Sequence, residues 1–172
     1  MKKSLLTLLS VAGLFITTLS QAAIIPWTAS LDQAQETFIG AAVPGASGLA
    51  FGNIDTVSGL LDWDISWSGL SDAAVAMHFH GPGAPGFNAG VQVDVGAISG
   101  LTSPSIGSAV LDASQIADLL AGLWYINIHT VLNPGGEIRG QVNFVSVPEP
   151  GTLALLGIGL AGLGLARRRR NA

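Results

Sequence analysis

From Leu61 to Ser68 apolar and polar side chains alternate without a break: Leu61, Trp63, Ile65 and Trp67 against Asp62, Asp64, Ser66 and Ser68. Side chains on a strand point to opposite faces in turn, so this segment makes a strand with one dry and one wet face. Half-buried strands of this kind belong to antiparallel sheets, because parallel sheets are covered on both faces. Val91, Val93 and Val95 alternate with Gln92 and Asp94 in the same way, and Trp27, Ala29 and Leu31 suggest an opening strand. Segments 49–54, 106–111, 125–130 and 137–145 add further strands, punctuated by Gly, Pro, Asn and Ser. One helix is predicted. Asp112 caps it with Gln115 three residues on, Ile116, Leu119 and Leu120 form its apolar stripe, and Gly122 ends it. The chain therefore reads as mainly β: an antiparallel β-sandwich or Greek-key barrel of about eight strands with one short helix.

The two ends stand outside that pattern. Lys2 and Lys3 precede an apolar and small-hydroxyl run from Leu5 to Leu19, and Ser20-Gln21-Ala22 offers small residues for cleavage. Residues 1–22 thus read as a secretory signal peptide. The run is shorter than the ~20 residues of a spanning helix. At the other end, residues 151–166 are apolar and uncharged, and Arg167, Arg168, Arg169 and Arg170 follow at once. At ~1.5 Å per residue such a helix is about 24 Å long, a marginal span of a ~30 Å hydrocarbon core. The arginines would stay cytoplasmic and leave the domain on the periplasmic side of an inner membrane.

Between the ends, residues 23–146 form one domain of ordinary size. Six of the seven basic residues lie at the ends, so ten acids face Arg139 alone and the formal charge is −9. Such a domain repels nucleic acid and anionic membrane. There is no cysteine, so no disulfide is available, and a transition metal would need nitrogen or oxygen ligands.

All three histidines lie on predicted strands. Val75, Met77 and Phe79 share one parity, His78 and His80 the other; Ile126 and Ile128 likewise oppose Asn127 and His129. With the apolar parity in the core, His78, His80 and His129 face away from it. If the two strands are neighbours, three imidazoles converge on an outer face. Three such ligands suit copper or zinc and leave a position open. With metal–nitrogen bonds of ~2 Å the ligand atoms should lie within about 4 Å of one another, and separations above about 8 Å would remove the idea. The alternative is that the histidines bond carbonyls and simply fix the sheet. Calcium has no Asp-x-Asp-x-Asp-Gly loop here.

The loop Gly81-Pro82-Gly83-Ala84-Pro85-Gly86 is placed to fold over the histidine face. It matches G-x-G-x-x-G, but with two prolines and no βαβ context it is no dinucleotide site. Glu137, Arg139 and Gln141 share a face, which makes Glu137 and Arg139 a candidate structural ion pair, with a part in binding as the other reading. Asn133-Pro134-Gly135-Gly136 reads only as a turn.

Three families are resembled, the last only in part. Pro148-Glu149-Pro150, the apolar stretch and Arg167–Arg170, together residues 147–172, resemble the PEP-CTERM sorting signal. That resemblance implies an exosortase-type enzyme in a Gram-negative bacterium, a transient membrane anchor, and release to the cell surface or to an extracellular, often exopolysaccharide, matrix. Signal peptidase would act at the other end. His78-x-His80-Gly81-Pro82, then Gly122-x-x-Tyr125-x-Asn127-x-His129-Thr130, then Gly136-Glu137-Ile138-Arg139-Gly140-Gln141 resemble the CHRD domain, with weaker matches at Trp27, Leu31, Gln35-Glu36 and Gly48 to Phe51. The family's usual Glu-Val-Pro is not intact: Thr37-Phe38 follow Glu36, and Val43-Pro44 come later. The resemblance implies an extracellular β-rich module and brings no catalytic residues. His78, His80 and His129 also follow the order of copper ligands in copper/zinc superoxide dismutase. The bridging histidine, zinc loop and cysteine pair of that family have no counterpart. The reading is an exported binding or structural module of the envelope or matrix rather than an enzyme, with a mononuclear three-histidine metal site as a candidate. Its alternative is a copper-dependent redox protein built as a reduced superoxide dismutase-like sandwich.

Overall fold

The computed structural model describes residues 24–37, 40–145, 156–162 and 167. Nine strands among them form one antiparallel sheet: β1 (Ile24–Asp32), β2 (Ser47–Asp55), β3 (Leu60–Ser68), β4 (Ala74–His80), β5 (Val91–Asp94), β6 (Ser105–Val110), β7 (Tyr125–Thr130), β8 (Ile138–Gln141) and β9 (Asn143–Phe144). Their order is β5-β4-β7-β8-β1-β2-β3-β6, and β9 pairs with β1. The sheet folds into two four-stranded halves around one core. The halves join where Asp32 of β1 pairs with Arg139 of β8 and where β9 continues along β1. The connections from β3 to β4 and from β5 to β6 cross between halves, as in a Greek key.

The alternation places the core as expected. Leu61, Trp63 and Ile65 from one half meet Met77, Phe79, Ile126 and Ile128 from the other, all essentially buried. Phe79 is the hub. Its ring centroid lies 5.7 Å from Trp27, 5.7 Å from Trp63 and 6.1 Å from Trp124. Val75 shares the core parity yet is half-exposed, because the β4–β7 register shifts between Ala74 and Ala76.

The predicted helix is α2 (Ala113–Leu120). The Asp112 side chain accepts the Gln115 N–H at 2.9 Å, and the Gln115 side chain accepts the Asp112 N–H at 3.0 Å. Gly122 follows at φ +73°, the left-handed position suited to glycine. Two local expectations are corrected, and one further element is added. The strand over 91–95 stops at Asp94, whose side chain accepts the Ala97 N–H at 2.9 Å and caps a short helix, α1 (Val95–Ser99). Inside an alternating run, that aspartate reads as a wet-face residue. A 3₁₀ turn, Gln33–Gln35, was also unforeseen. The long strand over 137–145 splits at Val142, whose N–H bonds the Trp124 carbonyl; β8 then serves one half and β9 the other.

Residues 1–22, the Pro148-Glu149-Pro150 motif and Arg168 to Arg170 lie outside the described residues. Of the expected apolar helix, residues 156–162 are described and helical. No helix among the described residues is long and apolar enough to cross a membrane.

Candidate metal centre

The core positions the histidines. Met77 and Phe79 point inward on β4, and Ile126 and Ile128 do so on β7. Period two then forces His78, His80 and His129 outward. The two strands are neighbours, with Ala76 opposite His129, His78 opposite Asn127 and His80 opposite Tyr125. His129 is therefore the diagonal neighbour of His78, within reach of a side chain of imidazole length. One ligand atom from each of the three rings lies within 4.8 Å of the others. His78 Nδ1 and His129 Nε2 are 3.3 Å apart. The set as a whole is slightly wider than a metal-bonded triad and far inside the distance that would exclude one.

Two of the rings are held by their other nitrogen, and the third faces a carboxylate. His80 Nδ1 lies 3.0 Å from the Ala89 carbonyl, and His129 Nδ1 lies 3.0 Å from the Pro134 carbonyl. His78 Nε2 is 3.9 Å from the Asp94 carboxylate, itself occupied in capping α1. Carbonyl acceptors at Nδ1 place the proton there and leave Nε2 of His80 and His129 as lone pairs. His80 Nε2 is buried and has no hydrogen-bond partner among the described residues. Burial lowers the His80 pKa to about 4, helped by His78, His129 and Arg139, against the Ala89 bond. Burial also lowers that of His129. Burial thus favours the neutral form of both rings, the form that binds metal.

Loop 81–90 covers this face, as its position after His80 predicts. Gly81 N–H bonds the Gly90 carbonyl at 3.0 Å and Gly83 N–H the Leu123 carbonyl at 2.7 Å. Ala89 N–H donates to the Tyr125 hydroxyl at 3.0 Å. The Tyr125 ring stacks on His80, with centroids 5.0 Å apart and planes 5° from parallel. The Arg139 guanidinium lies 3.4 Å over the centroid of the same tyrosine.

The expected pairing of Glu137 with Arg139 is not what the geometry holds. Glu137 is fully buried and accepts the Ser71 N–H at 2.6 Å, the Ser71 hydroxyl, the Thr130 hydroxyl at 2.5 Å and the Asn133 amide at 3.2 Å. Burial alone would raise its pKa; these donors hold it below the ordinary value. Arg139 instead donates to the Phe87 carbonyl at 2.9 Å and Asn88 Oδ1 at 3.3 Å. The carboxylate that attracts it is Glu36, beyond ion-pair contact. The two residues diverge because Glu137 precedes β8 and turns into the 131–136 loop, whereas Arg139 lies within the strand. That loop is more than a turn: Asn133 is buried and its Oδ1 accepts the Ala41 N–H at 2.7 Å. The sequence reading missed Tyr125, Glu36, Ser71 and Asn133 as parts of this face. Tyr125 alone had a local signal, since it shares the parity of Asn127 and His129.

Fold and site define a class: an antiparallel β-sandwich module with a roofed polar outer face and three clustered imidazoles. The chain belongs to the CHRD domain family, which matches residues 27–142. Residues 146–170 match the PEP-CTERM protein-sorting motif, which implies export, membrane anchoring before processing, and cutting by an exosortase. No curated protein and no solved structure matches the chain.

Proposed function

We propose that this chain is an envelope or extracellular-matrix module whose outer face holds one metal ion on His78, His80 and His129. One observation carries the reading: three imidazoles converge while the second nitrogen of each is tied to a carbonyl or faces a carboxylate. A merely structural histidine cluster has no need to leave a buried, unpartnered lone pair at His80 Nε2. Nitrogen ligands and an open position suit copper or zinc. The domain, released after processing at the tail, would carry the metal in a matrix, where its excess of acids limits adhesion to polyanions.

The test is elemental analysis of the full chain after loading with copper or zinc and removal of excess ion. About one ion per chain is expected, falling at least tenfold in His129→Ala, given the 10–100-fold losses that even outer ligand partners produce. Equal retention by both proteins, or none by either, would refute the site.

A further inference from the structure

The two edges of the sheet differ. β5 has four residues, ends on Asp94, and pairs with β4 through a register shift between Phe79 and His80. Short length, charge and bulges are the devices that blunt a sheet edge. β6 has none of them at its free side. Its six residues, Ser105 to Val110, hold no charge and no proline, and they pair with β3 without a shift.

One bond fixes where its free backbone groups point. The Leu111 N–H donates to the Gly59 carbonyl at 2.9 Å, so these two residues form a hydrogen-bonded pair of the β3–β6 ladder. Such pairs alternate along an antiparallel ladder. Ser105, Gly107 and Ala109 therefore bond to β3, and the N–H and C=O groups of Ile106, Ser108 and Val110 point away from it. They have no backbone partner among the described residues. α1 meets β6 from the core side: the Ser99 hydroxyl accepts the Trp63 indole N–H at 3.0 Å and lies 2.7 Å from the hydroxyl of the buried Ser105.

The side chains of the same three residues stand on the outer face. Ile106 is 65% exposed and Val110 72%, and Leu60 of β3, opposite Val110, is exposed beside them. Free hydrogen-bonding groups beside an apolar face suit a strand laid along the edge. The symmetry of β6 itself selects that strand. With two copies antiparallel about Ser108, Ser108 faces its counterpart and Ile106 faces Val110 of the second copy, twice over. The free groups of all three residues then meet, and Leu60, Val110 and the second copy's Ile106 form one apolar row. Charge agrees. A basic strand would find no acid on β6, whereas a second β6 meets no like charge there. Asp62, opposite Ser108 on β3, would lie three strand spacings from its counterpart. That is about 14 Å, beyond the ~8 Å screening length.

We propose that β6 is a self-association edge: two copies of this chain join β6 to β6 into one continuous sheet, with a twofold axis at Ser108. The blunted β5 edge stops the assembly at two. Six residues a side, against the ~20–30 of a standard interface, make the dimer weak and reversible. It stands independently of the metal reading, since no histidine lies on β6.

The chain has no cysteine, so a single introduced thiol can cross-link only to another copy. The test is oxidation of the full chain in detergent at about 100 μM, with diamide, which brings no metal to the histidines. Ser108→Cys, a one-atom change, should give a covalent dimer. Its Cα would lie ~5.5 Å from its counterpart, within the ~4.4–6.8 Å that a disulfide spans. Ile106→Cys and Val110→Cys should each fail to cross-link alone, because like residues sit about 14 Å apart in this register, and should cross-link when mixed. Ser30→Cys, exposed on β1, should cross-link at least tenfold less than Ser108→Cys. Adding Ile106→Lys and Val110→Lys to Ser108→Cys sets lysines opposite each other and should cut the dimer tenfold or more, with a native circular dichroism spectrum. No covalent dimer from Ser108→Cys overturns the proposal. So does equal cross-linking of Ser30→Cys, self-linking of Ile106→Cys or Val110→Cys as strong as in the mixture, or survival of the dimer in the lysine variant.

Discussion

At the residue scale, two side chains show how core and site depend on each other. Phe79 lies between His78 and His80 and fills the space among Trp27, Trp63 and Trp124. Phe79→Ala should cost ~3–5 kcal/mol in urea unfolding, through lost burial and the cavity left behind. It should also weaken metal binding, because both flanking imidazoles lose their fixed strand; Phe79→Leu should do less of each. Glu137 is the second. Its folded pKa is depressed, so its contribution is complete above the ordinary carboxylate range and disappears as pH falls through the folded value. Melting temperatures taken from pH 7 down to pH 3 should fall on the acid side, and the fall should flatten in Glu137→Gln. That variant should lose about 2–3 kcal/mol at pH 7, because a neutral amide turns donors toward the donors of Ser71, Thr130 and Asn133.

At the scale of elements, α2 and the last strand pair differ in what made them visible. The capping box of α2 is local: Asp112 and Gln115 are three residues apart and each satisfies the other's N–H. Asp112→Ala should lower stability by about 1 kcal/mol. The division of 137–145 into β8 and β9 is not local. It follows from Val142 turning to the Trp124 carbonyl, a partner eighteen positions away in the chain that no window around residue 142 contains. β9 then pairs Phe144 with Trp27 and Asn143 with Thr28, and the Val145 N–H bonds the Pro26 carbonyl at 3.0 Å. The strand ends just before the sorting segment, so cutting near Pro148 spares every strand of the sandwich. A chain ending at Val145 should unfold in urea like the parent domain. One ending at Val142 should lose about 1–2 kcal/mol, less than the ~1.5–3 kcal/mol of a fully buried aromatic, since Phe144 is only half-buried.

At the scale of the whole molecule, address and fold are carried by separate parts of the chain. Replacing Pro148, Glu149 and Pro150 with alanine should leave the folded domain in the membrane fraction, and unchanged release into the medium would contradict the sorting role. The sequence alone settled the antiparallel β class, the outward face of the three histidines and the capped helix, because each depends on parity or on neighbours a few residues apart. The CHRD and sorting assignments were legible for a related reason, resting on short runs such as Gly-Glu-Ile-Arg-Gly-Gln and Pro-Glu-Pro. Only the tertiary structure decided that β4 and β7 are adjacent and that Ala89 and Pro134 orient two of the rings. It alone gave Glu137 to Ser71, Thr130 and Asn133, and set Arg139 against Tyr125 and toward Glu36. Those partners lie up to about a hundred residues apart, and a buried charge takes whichever donors and acceptors the folded chain brings to it, not those nearest in sequence.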